Sequence, residues 1–385
     1  MTIRDCLQAL VLFFGVASAA TAAPTVPSPP PLAAKSWVLM DAASGAVLVD
    51  QNGSQRLPPA SLTKLMTSHV AALELQRGRL KEADLVLISE KAWRMGGSKM
   101  FVMVNDKVAV SDLLRGIIVQ SGNDASIALA EHIAGGEETF ASMMNQEAKR
   151  LGMADTNFAN AAGWPDPTHY SSALDMAKLA RAIIVEDPAH YSLYKEKEFV
   201  WNGINQPNRN LLLWRDASVD GLKTGHTEEA GYCLVASAER DGMRLIASVF
   251  GTASEEARAT ETAKLLGYGF NFFTSRAFHK KDETMQTVEV WKGAARSVKA
   301  GVAADFVATL PKATSEDYQT RVVLAEGDVI APVVTGTPMG RVELVGADGK
   351  IVMQAPLVAL EAVEQGGFFR RVWDSIRLFF RGLFG

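Results

Sequence analysis

Ser61-Leu62-Thr63-Lys64 puts a hydroxyl and an amine three residues apart. The run from Ser61 to Leu75 has apolar residues at helical spacing and neither Pro nor Gly. Pro58-Pro59 stand just before it, where chains commonly enter helices. On a helix, this spacing brings Ser61 Oγ and the Lys64 amine onto one face, one turn apart. A serine nucleophile with an amine as its base needs that geometry. The partial positive charge of the helix N-terminus would favour an oxyanion formed on attack. Alone, the pattern is weak, because an N-cap Ser with a solvated Lys meets it equally well.

Two further stretches carry residues of the same kind. Ser121-Gly122-Asn123 follows Ser111 to Gln120, which reads as a short buried helix ending at the Ser121 turn. Asn123 or Asp124 could cap the next helix, Ala125 to Ile133, which gives Asn123 a purely structural alternative. Lys223-Thr224-Gly225-His226-Thr227 leads into Gly231 to Ala238, and Met243 to Phe250 pairs back after a turn. The bland reading of Lys223-Thr224-Gly225 is a strand end with a turn Gly. The chemical one is a strand edge that binds an extended peptide by main-chain hydrogen bonds, Lys223 and Thr224 facing a carboxylate.

The remaining elements must hold these three stretches together. Trp37 to Met40 and Ala46 to Val49 flank a polar turn and predict a β-hairpin. Lys81 to Met103 is mixed, with Met95 to Lys99 a mobile loop near the site. Glu137 to Leu151, Ser172 to Val185 and Glu255 to Thr274 read as helices, and Ala161 to Pro167 as a loop. The 385 residues carry a net charge of −4, with 48% hydrophobic and 21% charged residues. That is a globular chain with no electrostatic argument for nucleic acid.

The N-terminus predicts export. Arg4 precedes a mostly apolar run, Leu7 to Ala20, and Ala20-Thr21-Ala22 is a small-x-small cleavage site. The apolar core is too short for a membrane span. We expect residues 1–22 to be a signal peptide and 23–34 a Pro-rich linker. Cys6 leaves with the signal peptide, so Cys233 has no intramolecular partner.

Past Thr274 the composition changes. Thr287 to Trp291, Arg321 to Leu324 and Arg341 to Val345 alternate, between recurrent Gly and Pro. A small all-β domain is expected over 284–360, serving as spacer or interaction module. The chain ends in Gly367 to Phe384. On a helical wheel Phe368, Phe369, Val372, Trp373, Ile376, Phe379, Phe380, Leu383 and Phe384 share one side. Arg370, Arg371, Asp374, Arg377 and Arg381 share the other, with Leu378 out of place. Over 366–385 we expect an amphipathic helix lying flat in a lipid headgroup region, its arginines attracted to anionic lipid.

In their order and spacing, Ser61-Leu62-Thr63-Lys64, Ser121-Gly122-Asn123-Asp124 and Lys223-Thr224-Gly225-His226-Thr227 resemble the low-molecular-mass penicillin-binding proteins of the D-alanyl-D-alanine carboxypeptidase type. The resemblance covers nearly everything after the signal peptide. It implies an α/β (α+β) β-lactamase/transpeptidase-like catalytic domain over 35–275, an antiparallel sheet flanked by helices. It implies that Ser61 is acylated by the penultimate D-Ala carbonyl of a peptidoglycan stem pentapeptide and that Lys64 takes its proton. Ser121 would relay a proton to the leaving D-Ala, and Asn123 would hold the substrate amide. Lys223, Thr224 and Gly225 would bind near the terminal carboxylate, helped by Arg258. The backbone N–H groups of Ser61 and His226 would form the oxyanion hole. Water would deacylate the enzyme without metal or cofactor, and β-lactam antibiotics would bind covalently. Burial beside another cation such as Lys223 would lower the Lys64 pKa. The expected location is the periplasmic face of the bacterial inner membrane.

Three alternatives remain open at this point. A serine β-lactamase of class A would carry an E-x-x-L-N loop, which is absent between Gly163 and Lys223. A D,D-endopeptidase shares the active site. A catalytically silent wall-binding protein would not need Ser61, Lys64, Ser121 and Lys223 intact.

Overall fold

The computed structural model describes residues 26–384. The signal segment expected over 1–22 lies outside them. Strands β1 (Ser36–Asp41) and β2 (Val47–Gln51) form the expected hairpin. They join β3 (Val219–Thr227), β4 (Gly231–Arg240) and β5 (Met243–Thr252) in one antiparallel sheet of order β2-β1-β5-β4-β3. Side chains alternate between its faces. Val235 and Phe250 pack with Leu65 and Met66, whereas Leu234 and Ala236 pack with Leu265 and Leu266. Both faces are covered, so these strands read as nearly continuous apolar runs.

Helices α1 (Lys64–Gln76), α2 (Asn123–Ala134) and α3 (Ala173–Glu186) build the core on one face. Helix α4 (Glu255–Phe272) covers the other. Helix α1 is buried all round from Lys64 to Ala72, so its polar side chains need partners inside the protein. Thr67 donates to the Ala161 carbonyl at 2.7 Å, Ser68 Oγ lies 2.6 Å from Tyr194 Oη, and His69 Nε2 lies 2.9 Å from Glu147.

Three local expectations change. Ser61 falls not in an α-helix but in the 3-10 turn Ala60–Thr63 that leads into α1. The helix expected over Ser111 to Gln120 is α-helical only over Val110–Arg115, then widens into a π turn over Gly116–Gln120. It ends at Ser121 in the left-handed region, φ 65°. Neither Asn123 nor Asp124 caps α2. Gly122 is the N-cap residue, and Asp124 instead accepts from the N–H groups of Met100 (2.8 Å) and Phe101 (2.9 Å). That ties the loop after Met95 to the start of α2.

Helix α4 gives way directly to β6 (Phe273–His279). Strands β7 (Thr284–Trp291), β8 (Ser297–Val302), β9 (Phe306–Pro311), β10 (Gln319–Leu324), β11 (Val329–Ile330), β12 (Pro338–Val345) and β13 (Ile351–Ala359) follow. They form a six-stranded sheet, β10-β12-β13-β8-β7-β11, and a two-stranded one, β6-β9. Val298, Phe306, Val342, Leu344 and Leu357 fill the core between them. Ser44 in the first hairpin bonds Thr309 at 2.6 Å, and the buried Asp41 carboxylate accepts from the Ser275 hydroxyl. These bonds seat the sheet-rich domain on the β1–β2 hairpin.

Helix α5 (Phe368–Phe384) closes the chain. Arg370, Asp374, Arg377 and Arg381 form one stripe, and that stripe faces the protein. Arg370 donates to the Ala294 carbonyl at 3.0 Å, and Asp374 accepts the Lys292 backbone N–H at 2.8 Å. Arg377 and Arg381 lie 5.0 and 5.8 Å from the Trp291 ring centroid, at cation–π distance. The apolar face points outward, with Phe369 87% and Trp373 63% exposed. The expectation that all four arginines meet lipid is therefore corrected, since three of them dock the helix onto the β domain.

Candidate active site

Four chain segments converge on one cleft of about 400 Å³. The 3-10 turn supplies Ser61, the π turn supplies Ser121, and the first turn of α2 supplies Asn123. Strand β3 forms the opposite wall with Thr224, Gly225, His226 and Thr227. Two glycines permit this approach. A Cβ on Gly225 would lie 2.9 Å from the Pro59 carbonyl oxygen and 3.2 Å from the Leu62 nitrogen. A Cβ on Gly163, where φ is +77°, would lie 1.9 Å from the Ala60 carbonyl oxygen. Any side chain at either place would push the turn that carries Ser61.

Lys64 is buried beneath the cleft floor. Its Nζ bonds Ser61 Oγ at 2.9 Å, Asn123 Oδ1 at 2.7 Å and the Ala162 carbonyl at 2.6 Å. The Asn123 amide orientation is fixed because its Nδ2 donates to the Gly96 carbonyl at 2.7 Å. Two of the three partners of Lys64 can only accept. A neutral amine has two hydrogens and one lone pair, and Ser61 is the only partner with a proton to give. Burial lowers the Lys64 pKa to about 7, the Arg209 charge adds to the effect, and Asp124 opposes it. Arg209 is thus a cation acting on Lys64 beside the expected Lys223, whose coupling to Lys64 is mutual.

Lys223 is also buried, and its Nζ donates to the Thr224 carbonyl at 3.0 Å. Burial holds its pKa well below the usual lysine range, and Lys64, Arg209 and Arg258 push the same way. Ser121 Oγ is buried and makes no hydrogen bond among the described residues, although Ser121 lines the cleft. His226 stacks on Tyr232 at 4.0 Å, and the Arg258 guanidinium lies 5.7 Å from the Tyr232 ring centroid. Arg258 also donates to the Arg209 carbonyl at 3.1 Å. Arg209 in turn bonds Ser98 Oγ at 2.9 Å. One end of the cleft is therefore cationic, with Thr224, Arg209 and Arg258 together. All nine expected residues fall in or directly behind one cleft.

Several contributors have no motif. Arg209, Ser98, Tyr232, Glu255 and Trp164 line the cleft through tertiary approach. Behind it, Asn160 Oδ1 accepts the N–H groups of Ala162, Gly163 and Trp164, shaping the loop that contacts Lys64. His169 Nδ1 accepts the Ala159 N–H at 3.0 Å, which leaves Nε2 as the donor to Thr63 Oγ1 at 2.8 Å. Burial lowers the His169 pKa to about 4, so the neutral ring holds the 3-10 turn at neutral pH. An Asn-x-x-Gly at a tight loop was the one local signal for Asn160; His169 had none.

A family model described as D-alanyl-D-alanine carboxypeptidase matches residues 23–254. A second, described as penicillin-binding protein 5, C-terminal domain, matches residues 273–365. The chain is 41% identical to the D-alanyl-D-alanine carboxypeptidase DacC of Escherichia coli, over 100% of this chain and 97% of that protein. The chain belongs to the D-alanyl-D-alanine carboxypeptidase family of serine-type peptidases. Its identity to the Haemophilus influenzae carboxypeptidase DacA is 43%, over 93% of this chain and 92% of that one. The structure of penicillin binding protein 5 from Haemophilus influenzae superposes with a TM-score of 0.83 at 42% identity. That match covers 88% of this chain and all of the other. Penicillin binding protein 6B from Escherichia coli gives 0.73 at 40%, over 88% of this chain and 99% of that one. The family's fold is the one found here, helices around an antiparallel sheet, then a sheet-rich domain and a terminal helix.

Proposed function

We propose that this carboxypeptidase removes the terminal D-alanine of a peptidoglycan stem pentapeptide through an acyl-enzyme on Ser61. The observation that carries the reading is the Lys64 Nζ to Ser61 Oγ bond at 2.9 Å, made by a buried amine whose pKa is about 7. Neutral Lys64 takes the Ser61 proton as Oγ attacks the penultimate D-Ala carbonyl. The N–H groups of Ser61 and His226 receive the oxyanion. The C–N bond breaks, the leaving amine collects a proton through Ser121, and D-alanine departs. Water, losing its proton to Lys64, then cleaves the ester and restores Ser61.

Asn123 serves twice in this scheme. Its Oδ1 holds Lys64, and the second hydrogen of Nδ2 is available to the substrate amide. Thr224, Arg258 and Arg209 take the terminal carboxylate, with Lys223 buried behind Thr224 and bonded to its carbonyl. β-Lactams enter by the same attack. Product analysis on a synthetic pentapeptide is the test. A tetrapeptide and one D-alanine are expected, with little cleavage of cross-linked dimers. Cleavage of cross-links alone would make the enzyme an endopeptidase.

The proposed organisation is an exported chain with a cleaved signal peptide at 1–22, linker at 23–34, catalytic domain at 35–275, β spacer at 284–360 and anchor helix at 366–385. Its place is the periplasmic face of the inner membrane. No described helix is long and apolar enough to cross a membrane. What supports a peripheral anchor is α5, which spends its polar stripe on the protein and leaves Phe369, Trp373 and Leu383 exposed. A chain ending at Glu364 is expected to stay soluble and to hydrolyse a small peptide at the intact rate, but not to pellet with vesicles. Since Arg370, Arg377 and Arg381 face the protein, salt should weaken the pelleting of the intact chain less than four lipid-facing arginines would require. Truncated protein that pellets as well as intact protein would remove α5 from this role.

A further inference from the structure

A second cavity, of about 740 Å³, runs between one flank of α5 and the edge strand β11. That volume lies in the range of roughly 300–1,000 Å³ that holds small organic ligands. Phe368, Val372, Ile376 and Phe379 form its helix side, and Ile330 and Ala331 its strand side. This trough is continuous with the outward apolar face of α5, on which Val372 and Ile376 are both 44% exposed.

Its polar rim has one sign. Among the described residues, Lys292 and Arg371 line the cavity and no carboxylate does. The Lys292 backbone is committed, its N–H to Asp374 and its carbonyl to Gly366. Its ammonium has no hydrogen bond or ion pair among the described residues. Arg371 donates at 3.2 Å to Gln365 Oε1, a neutral partner that leaves the guanidinium charge uncompensated. Two uncompensated cations therefore stand beside an apolar trough that opens on the face proposed to meet the bilayer.

We propose that this cavity is a binding site for one anionic phospholipid. Its phosphate sits between Lys292 and Arg371, and an acyl chain lies along Val372, Ile376, Phe379 and Ile330. The proposal rests on the reading of α5 as a membrane-facing helix and adds to it a discrete site of defined chemistry. A phosphate suits the rim because charge-assisted bonds to ammonium and guanidinium are the strong ones. A chain suits the trough because each buried methylene adds to affinity.

The test uses the intact mature protein and a short-chain phosphatidylglycerol below its micellar concentration, titrated by calorimetry. Saturable binding of one lipid per protein is expected. Lys292→Gln, which removes one cation, and Ile330→Asp, which places a carboxylate on the exposed strand side, should each weaken it roughly tenfold. Trp373→Ser lies on the outward face and off the trough, so it should leave this binding unchanged while reducing vesicle pelleting. Absence of saturable binding, or wild-type affinity in both trough variants, would overturn the site. So would inorganic phosphate binding as tightly as the lipid, which would leave an anion site without a chain. Vesicle pelleting separates the two readings. Pelleting without monomer binding removes the site and keeps the anchor, and loss of both removes both.

Discussion

Ser61→Ala is expected to abolish both D-alanine release and covalent labelling by penicillin while the fold stays intact. Ser61 is only half-buried on a 3-10 turn, and among the described residues its hydroxyl bonds Lys64 alone. Losing one oxygen there opens no core cavity, so thermal unfolding should shift little. Activity should fall by roughly four orders of magnitude or more, because among the described residues no other hydroxyl lining the cleft bonds the Lys64 amine. Ser121 is the nearest rival, with an unbonded Oγ on the same cleft. It has no base in hydrogen-bond contact, and labelling that persists in Ser61→Ala would point to it.

Lys64→Arg is expected to slow acylation by several orders of magnitude. A guanidinium stays charged throughout the accessible pH range and cannot accept the Ser61 proton. It would also have to enter a buried site closed by Ser61, Asn123 and Ala162 at 2.6–2.9 Å. The wild-type pH profile supplies the companion result. Lys64 acts as a base only when neutral, and its pKa is about 7. Penicillin acylation should therefore be weak below pH 7, rise through it and level off above. The same shift has a stability consequence. Between pH 7 and the unfolded lysine value of about 10.4 the unfolded chain holds the extra proton, so folding stability rises with pH across that window. A Lys64→Arg variant that acylates at close to the normal rate, or a flat wild-type profile, would remove Lys64 as the base.

The three motifs are legible in sequence because each packs its chemistry into a few adjacent residues, and their order identifies the fold. The hairpin, the buried helices and the alternating strands of the second domain follow from periodicity alone. What escaped depends on approach in space. Arg209, far from Lys64 in the chain, reaches the cleft only because the segment before β3 folds over it, so its effect on the Lys64 pKa has no local signature. Asn160 acts by gathering three backbone N–H donors and His169 by bracing the Thr63 hydroxyl.

The capping alternative for Asn123 and the lipid contacts expected of the α5 arginines fall for one reason. Asn123 sits where a capping residue would, and the α5 arginines sit where headgroup ligands would. In both cases the local pattern allows two partners and the tertiary structure selects one. Asn123 turns to Lys64 because a buried amine needs acceptors more than a helix end beside Gly122 needs a cap. The α5 stripe turns to Trp291 and Ala294, which leaves Phe369, Trp373 and Leu383 on the other face exposed.

The central claim is that turnover passes through an ester on Ser61. It is tested most directly by quenching the enzyme with acid during turnover of a pentapeptide and mapping the modified peptide by mass spectrometry. The account predicts one tetrapeptidyl group, the substrate less its terminal D-alanine, on the hydroxyl of Ser61, and the same residue carrying the adduct after penicillin. An adduct on Ser121 or any other residue, or steady turnover with no covalent species under conditions that trap the penicillin ester, would contradict it.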